Sequence, residues 1–102
     1  MNSQSRKKEI LTFLKNKNWY TLCSNLEEHN LLMKWCEEVG ITWVDGESPS
    51  YYISSEDFPL YIEYTVDEID GIVWERELDY EEPTETHEYI SVNDFVNYIN
   101  GE

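Results

Sequence analysis

The chain of 102 residues carries 22 acidic against 7 basic side chains, a net charge of −15 at pH 7, with 15% aromatic residues that include four Trp and eight Tyr. That length gives one core, the aromatics can fill it, and a chain disordered throughout is excluded. The two cysteines, Cys23 and Cys36, have no CxxC spacing, which argues against a disulfide framework or a zinc motif, and no apolar run approaches the roughly 20 residues of a membrane span.

Residues 5–17 read as an amphipathic helix, because Ile10, Leu11, Phe13 and Leu14 cluster on one side and Arg6, Lys7, Lys8 and Lys15 fall mainly elsewhere. Residues 1–18 could pack separately from the body. Trp19 to Cys23 looks extended. Ser24-Asn25-Leu26-Glu27 matches a capping box and predicts a helix over 25–39, with Leu26, Leu32, Met33, Trp35 and Cys36 toward the core and Gly40 ending it. A short strand at Ile41–Val44 closes on the Asp45-Gly46 turn, and Tyr51 to Ile53 is a brief strand candidate.

Residues 60–66 alternate cleanly, with Leu60, Ile62, Tyr64 and Val66 on one face and Tyr61, Glu63 and Thr65 on the other. After the Asp70-Gly71 turn signal, residues 72–80 alternate again, placing Ile72, Trp74, Leu78 and Tyr80 opposite Val73, Glu75, Glu77 and Asp79. Two such runs flanking one turn predict an antiparallel hairpin. Arg76 falls on the apolar face by parity, which marks an edge position or the end of regular pairing. Residues 81–86 are an acidic loop. Ser91 caps a closing helix built on Val92, Phe95, Val96 and Ile99 and ended by Gly101. The expected fold class is α+β: a small antiparallel or mixed sheet of three to five strands, with two or three helices packed on one face.

Charge is unevenly spread. Residues 1–34 hold six bases and three acids, or +3, while residues 35–102 hold Arg76 alone against 22 − 3 = 19 acids, or −18. On a continuous strand, Glu75, Glu77 and Asp79 would lie about 6.6 Å apart on one face, close to every second phosphate along one DNA strand. Glu63 on the paired strand and Glu81, Glu82, Glu85 and Glu88 in the following loop extend the row, and Tyr61 beside them is a candidate aromatic anchor. A Lys- and Arg-lined groove would be drawn to such a field. The plain alternative is a solvated face that confers solubility.

Other chemistries find little support in the pattern. Residues 66–71 mimic a calcium loop only superficially, since Gly71 at loop position six would put Val66 at position one. No metal or cofactor is expected. His29 and His87 have no visible nucleophile beside them, Cys36 sits at core spacing, and no catalytic residue is predicted. Base stacking would need a basic frame that residues 35–102 lack, so direct nucleic-acid binding is disfavoured. A small-metabolite or nucleotide-sequestering module around Trp43 and Tyr51 is the alternative function, with Arg76 or the first helix supplying cations.

The run Tyr20–Gly46, Y-T-L-C-S-N-L-E-E-H-N-L-L-M-K-W-C-E-E-V-G-I-T-W-V-D-G, and the ending Y-I-S-V-N-D-F-V-N-Y-I carry a likeness. They resemble small phage- and prophage-encoded proteins that share a strand, a helix opened by an acidic pair and a Gly-hydrophobic-x-Trp-x-x-Gly segment. The resemblance implies a compact accessory product acting in the cytosol of a host bacterium. Acidic members of that class include inhibitors of defence nucleases, anti-CRISPR proteins among them. It therefore implies a basic protein surface, such as that of a Cas nuclease, as partner. It carries no catalytic signature to these residues.

Overall fold

A computed structural model describes residues 3–49, 58–66 and 71–101. In chain order these form α1 (Ser3–Asn16), β1 (Trp19–Cys23), α2 (Leu26–Glu38), β2 (Leu60–Thr65), β3 (Gly71–Arg76), a 3-10 turn (Glu77–Asp79), β4 (Glu88–Ile90) and α3 (Val92–Ile99). The sheet order is β3-β2-β1-β4, with β1 antiparallel to β2, β2 antiparallel to β3, and β1 parallel to β4. The architecture is α+β, a mixed four-stranded sheet with three helices packed against it.

The helical layer forms because each helix offers apolar groups at helical spacing. Ile10 and Leu14 of α1, Leu32, Met33, Trp35 and Cys36 of α2, and Val92 of α3 join Trp19, Cys23, Ile62, Tyr64, Ile72 and Ile90 from the sheet in one core. The first helix is thus part of the body. Polar contacts pin it further: Lys7 pairs with Glu38 at 3.1 Å, Arg6 donates to the Tyr98 carbonyl, and the Tyr98 hydroxyl donates to Glu9.

Capping fixes where the other two helices begin. Asn25, one residue later than the sequence suggests, accepts from the Glu28 backbone N–H at 2.9 Å, and Glu28 reaches back to the Ser24 N–H at 2.8 Å. The shift turns Leu26 outward, where it is exposed instead of buried. At the other end Ser91 caps α3 as expected, accepting from the Asp94 N–H, and Gly101 at φ +85° follows its last turn.

The 41–44 segment is not a full strand. Trp43 forms a single parallel bridge to Ile72, flanked by Val44 N–H to Ile72 O at 3.2 Å and Ile72 N–H to Thr42 O at 2.9 Å. This covers the outer edge of β3 and brings two backbones together over Gly71. A Cβ at Gly71 would lie 2.9 Å from Val44 Cα and 3.0 Å from the Thr42 carbonyl oxygen. Gly71→Ala is therefore expected to cost about 1–3 kcal/mol by forcing the bridge apart, read as a fall of roughly 5–15 °C in Tm. A melt within 2 °C of wild type would show that the bridge gives way freely. The expected turn at Asp70-Gly71 and the brief strand at Tyr51–Ile53 lie largely outside the described residues.

The hairpin of β2 and β3 is present, with Thr65 paired to Gly71 and Leu60 to Arg76. Regular pairing ends at Arg76. Residues 77–79 tighten into the 3-10 turn, so the alternation does not run on to Tyr80. Leu78, expected toward the core, is 96% exposed, and Trp74, on the core side of an outer strand, is 44% exposed. Tyr80 lands on the opposite face of the sheet from Ile72. A 3-10 turn rotates the chain about 120° per residue instead of 180°, and that resets parity.

His29 on α2 is buried, packed edge-on to Phe58 with ring centroids 5.9 Å apart, and its Nδ1 has no hydrogen-bond partner among the described residues. Burial lowers its pKa, opposed by a hydrogen bond to Asn30. With the folded value below the unfolded value near 6.5, the neutral ring's contribution is complete above that pH and is lost as pH falls through it. The gap in unfolding free energy between wild type and His29→Leu should therefore widen against wild type on acidification from pH 7 to 5. A gap that stays constant with pH would show that His29 titrates as it does in the unfolded chain.

Candidate functional site

The sheet face turned away from the helices carries Tyr20 and Leu22 from β1, Tyr61, Glu63 and Thr65 from β2, Val73 and Glu75 from β3, and Tyr89 from β4. Alternation alone makes this the solvent face. Tyr20, Tyr61 and Thr65 are nonetheless 5–8% exposed, because residues 77–87 fold back over it as a strap. Tyr80 stacks on Tyr61, with centroids 4.3 Å apart and planes at 18°, and both lie about one ring-width from Tyr20, at 6.1 and 6.3 Å. Tyr89 meets Tyr20 edge-on at 5.3 Å. Offset and edge-to-face pairs are the favoured geometries for π systems, so four tyrosines form one cluster.

Carboxylates tie the cluster down. The Tyr61 hydroxyl donates to Glu82 Oε1 and the Tyr80 hydroxyl donates to Glu63 Oε1, each at 2.7 Å. Thr65 Oγ1 lies 3.4 Å from Glu63 Oε2 and 2.8 Å from His87 Nε2, and Thr86 Oγ1 lies 2.7 Å from His87 Nδ1. The carboxylate can only accept, so Thr65 donates to Glu63 and His87 Nε2–H donates to Thr65, while Nδ1 shares its hydrogen bond with the Thr86 hydroxyl. Asn18 closes the same end, accepting from the Val66 N–H at 2.8 Å and donating to the Thr86 carbonyl at 3.5 Å.

These contacts keep the phenols protonated. The hydrogen bond to Glu82, then burial, pushes Tyr61 up to about 12. Burial first and Glu63 second raise Tyr80, burial and the Glu82 charge raise Tyr20, and burial with Glu28 raises Tyr89. The face thus gathers neutral aromatic rings among carboxylates, an electronegative surface suited to cations. Tyr61→Phe removes the donor to Glu82 and should loosen the strap by about 1 kcal/mol, read as faster amide exchange at residues 80–87 with no change in the helices. Unaltered exchange there would mean that the ring stack alone holds it.

The candidate residues split into two sets. Tyr61 and Glu63 are turned inward and bonded to the strap, so Tyr61 is no solvent-facing anchor. Glu75, Glu77, Asp79, Glu81 and Glu82 are exposed, as are Glu85 and Glu88 beyond them. The even 6.6 Å row does not form, because Glu77 and Asp79 share a 3-10 turn with a rise near 2 Å per residue, about 4 Å between them along its axis. What results is a run of exposed carboxylates, the acidic ridge, along residues 75–82 on either side of the exposed Leu78. Sequence reasoning missed Tyr80, Tyr89, His87 and β4; the signal was two tyrosines in an otherwise acidic stretch on either side of Pro83.

Other chemical options are narrow. Around His87 the hydroxyls of Thr65 and Thr86 face opposite ring nitrogens, and Glu63 sits on the Nε2 side at 3.8 Å, tied to the ring through Thr65. Among the described residues no group of three or more His, Cys, Asp or Glu could hold a metal ion. Cys23 and Cys36 are buried free thiols, and burial raises both, Cys23 to about 12. Trp43 is buried and donates its indole N–H to the Pro49 carbonyl at 3.3 Å, so it is core and not a pocket wall; Tyr51 lies outside the described residues. Among the described residues no helix is long and apolar enough to cross a membrane. No protein family, curated protein or solved structure matches the chain.

Proposed function

We propose that the protein is a non-catalytic inhibitor that uses its acidic ridge and strap to occupy a cationic surface of another protein. The observation that carries this reading is the stretch 75–88, in which Glu75, Glu77, Asp79, Glu81, Glu82, Glu85 and Glu88 are all exposed and Arg76 is the sole Lys or Arg. A field of that density attracts Lys- and Arg-lined grooves over roughly a Debye length and repels nucleic acid. The nucleic-acid channel of a bacterial defence nuclease is the partner class that the sequence resemblance implies, and its charge is complementary.

The ridge acts as a compact charged knob and does not reproduce a phosphate ladder. It is held by a tyrosine cluster, so little ordering cost falls on binding. The test is DNA cleavage by a set of purified RNA-guided nucleases, with and without the protein, at roughly 50 and 500 mM salt. Inhibition that weakens at the higher salt is the expected result. Undiminished cleavage across the set, or inhibition indifferent to salt, would reject the reading.

A further inference from the structure

At the rim of the tyrosine cluster, the 84–89 segment, the end of α1 and the start of β1 enclose an open cleft of about 770 Å³. Its aromatic walls are Phe13, Tyr20 and Tyr89, and Tyr89 is half exposed. Glu85 and Glu88 line it as exposed carboxylates, and Lys17 is its one Lys or Arg. The last residue of α1, Asn16, also lines the cleft, so the partial negative charge of a helix C-terminus adds to the two carboxylates. A net negative lining selects a cation, and the aromatic groups Phe13 and Tyr89 within this mostly polar cleft favour one with hydrocarbon attached.

We propose that this cleft is an arginine-binding site, taking the guanidinium of an arginine side chain presented by the partner. The inference rests on the cationic partner proposed above and names the group recognised at that surface. Arginine fits better than lysine because its planar, weakly hydrated head stacks on the half-exposed ring of Tyr89 while its N–H fork pairs with a carboxylate such as Glu88. A cleft of this volume, within the usual range for ligand sites, admits the whole side chain with its flanking backbone.

The probe is N-acetyl-arginine-N-methylamide, uncharged at both ends, titrated into the full-length 15N-labelled protein. Amide shifts should concentrate at Asn18, Tyr20, His87, Glu88 and Tyr89, and the lysine analogue should bind several-fold more weakly. Tyr89→Leu keeps an apolar side chain on an outer strand and should weaken binding about tenfold; Glu88→Gln should weaken it without altering the packing. Lys17→Ala removes the competing cation and should tighten binding. Shifts spread evenly over all exposed carboxylates, equal binding of the lysine analogue, or weaker binding in Lys17→Ala would overturn the assignment. The outcomes are separable from the parent reading: arginine binding without nuclease inhibition rejects only the inhibitor, and inhibition unaffected by Tyr89→Leu or Glu88→Gln rejects only the arginine site.

Discussion

Trp19→Ala is expected to remove most of the protein's stability. The indole is fully buried at the start of β1, tilted against Tyr64 at 5.8 Å, and its N–H donates to the Leu14 carbonyl at 2.9 Å. That residue joins the last turn of α1 to the centre of the sheet. Truncating a buried Trp costs about 3–5 kcal/mol, against about 5–15 kcal/mol for an ordinary domain, and self-repulsion at a net charge of −15 lowers the reserve further. Trp19→Phe should cost about 1–3 kcal/mol, since it fills much of the space but leaves the Leu14 carbonyl without its donor. Urea titration followed by far-UV circular dichroism reads both; a loss below 1 kcal/mol for Trp19→Ala would show that the α1–sheet junction is not a keystone.

The second large effect is functional and leaves the fold alone. Glu75→Lys, Glu77→Lys and Asp79→Lys together change the net charge from −15 to −15 + 6 = −9. All three side chains are exposed, and surface changes of this kind shift stability by about 0.5 kcal/mol or less each. Relief of self-repulsion acts in the favourable direction. At a cationic channel the same three changes replace attraction by like-charge contact, a difference of several kcal/mol, so inhibition should fall at least about a hundredfold. A protein reversed at Glu27 and Glu47, on α2 and the 41–49 loop, should lose far less. Losses that only follow the charge change, +6 in the first variant against +4 in the second, would mean that net charge matters and the ridge does not; full inhibition by the first would remove the ridge from the mechanism.

The two variants probe different parts of the chain for a physical reason. Trp19 acts where the helical layer meets the sheet, and its partners Leu14 and Tyr64 lie on the helix-facing side. The ridge residues belong mostly to the strap over the opposite face of the sheet, which is held to that face through Tyr61 and Tyr80. Charge changes at its tip therefore leave the core packing intact. Leu78, between Glu77 and Asp79 on the 3-10 turn, is 96% exposed.

Local periodicity and capping chemistry were legible in the residues themselves. The apolar stripe of α2, the Ser91 cap, Gly101 after α3 and the alternation of Leu60, Ile62 and Tyr64 all followed from spacing, because each depends on neighbours within a few positions. The same local logic gave an α+β sheet under helices and an exposed acidic stretch. It misjudged Leu26 by one capping residue, since Ser24 and Asn25 are both competent caps and only the contacts of Glu28 separate them.

What the tertiary structure decided is the second side of the sheet. Nothing in the alternation of 60–66 says that Tyr61, Glu63 and Thr65 will be covered by residues more than fifteen positions later, because a strand pattern records only which way a side chain points and not what meets it. The 3-10 turn at 77–79 reset parity, sending Tyr80 onto Tyr61 and Leu78 into solvent, and β4 joined β1 through a parallel pairing across nearly seventy residues. Those long-range contacts converted a row of acids and scattered tyrosines into a strapped aromatic face with a charged crest, and they arise from packing that no single segment of the sequence encodes.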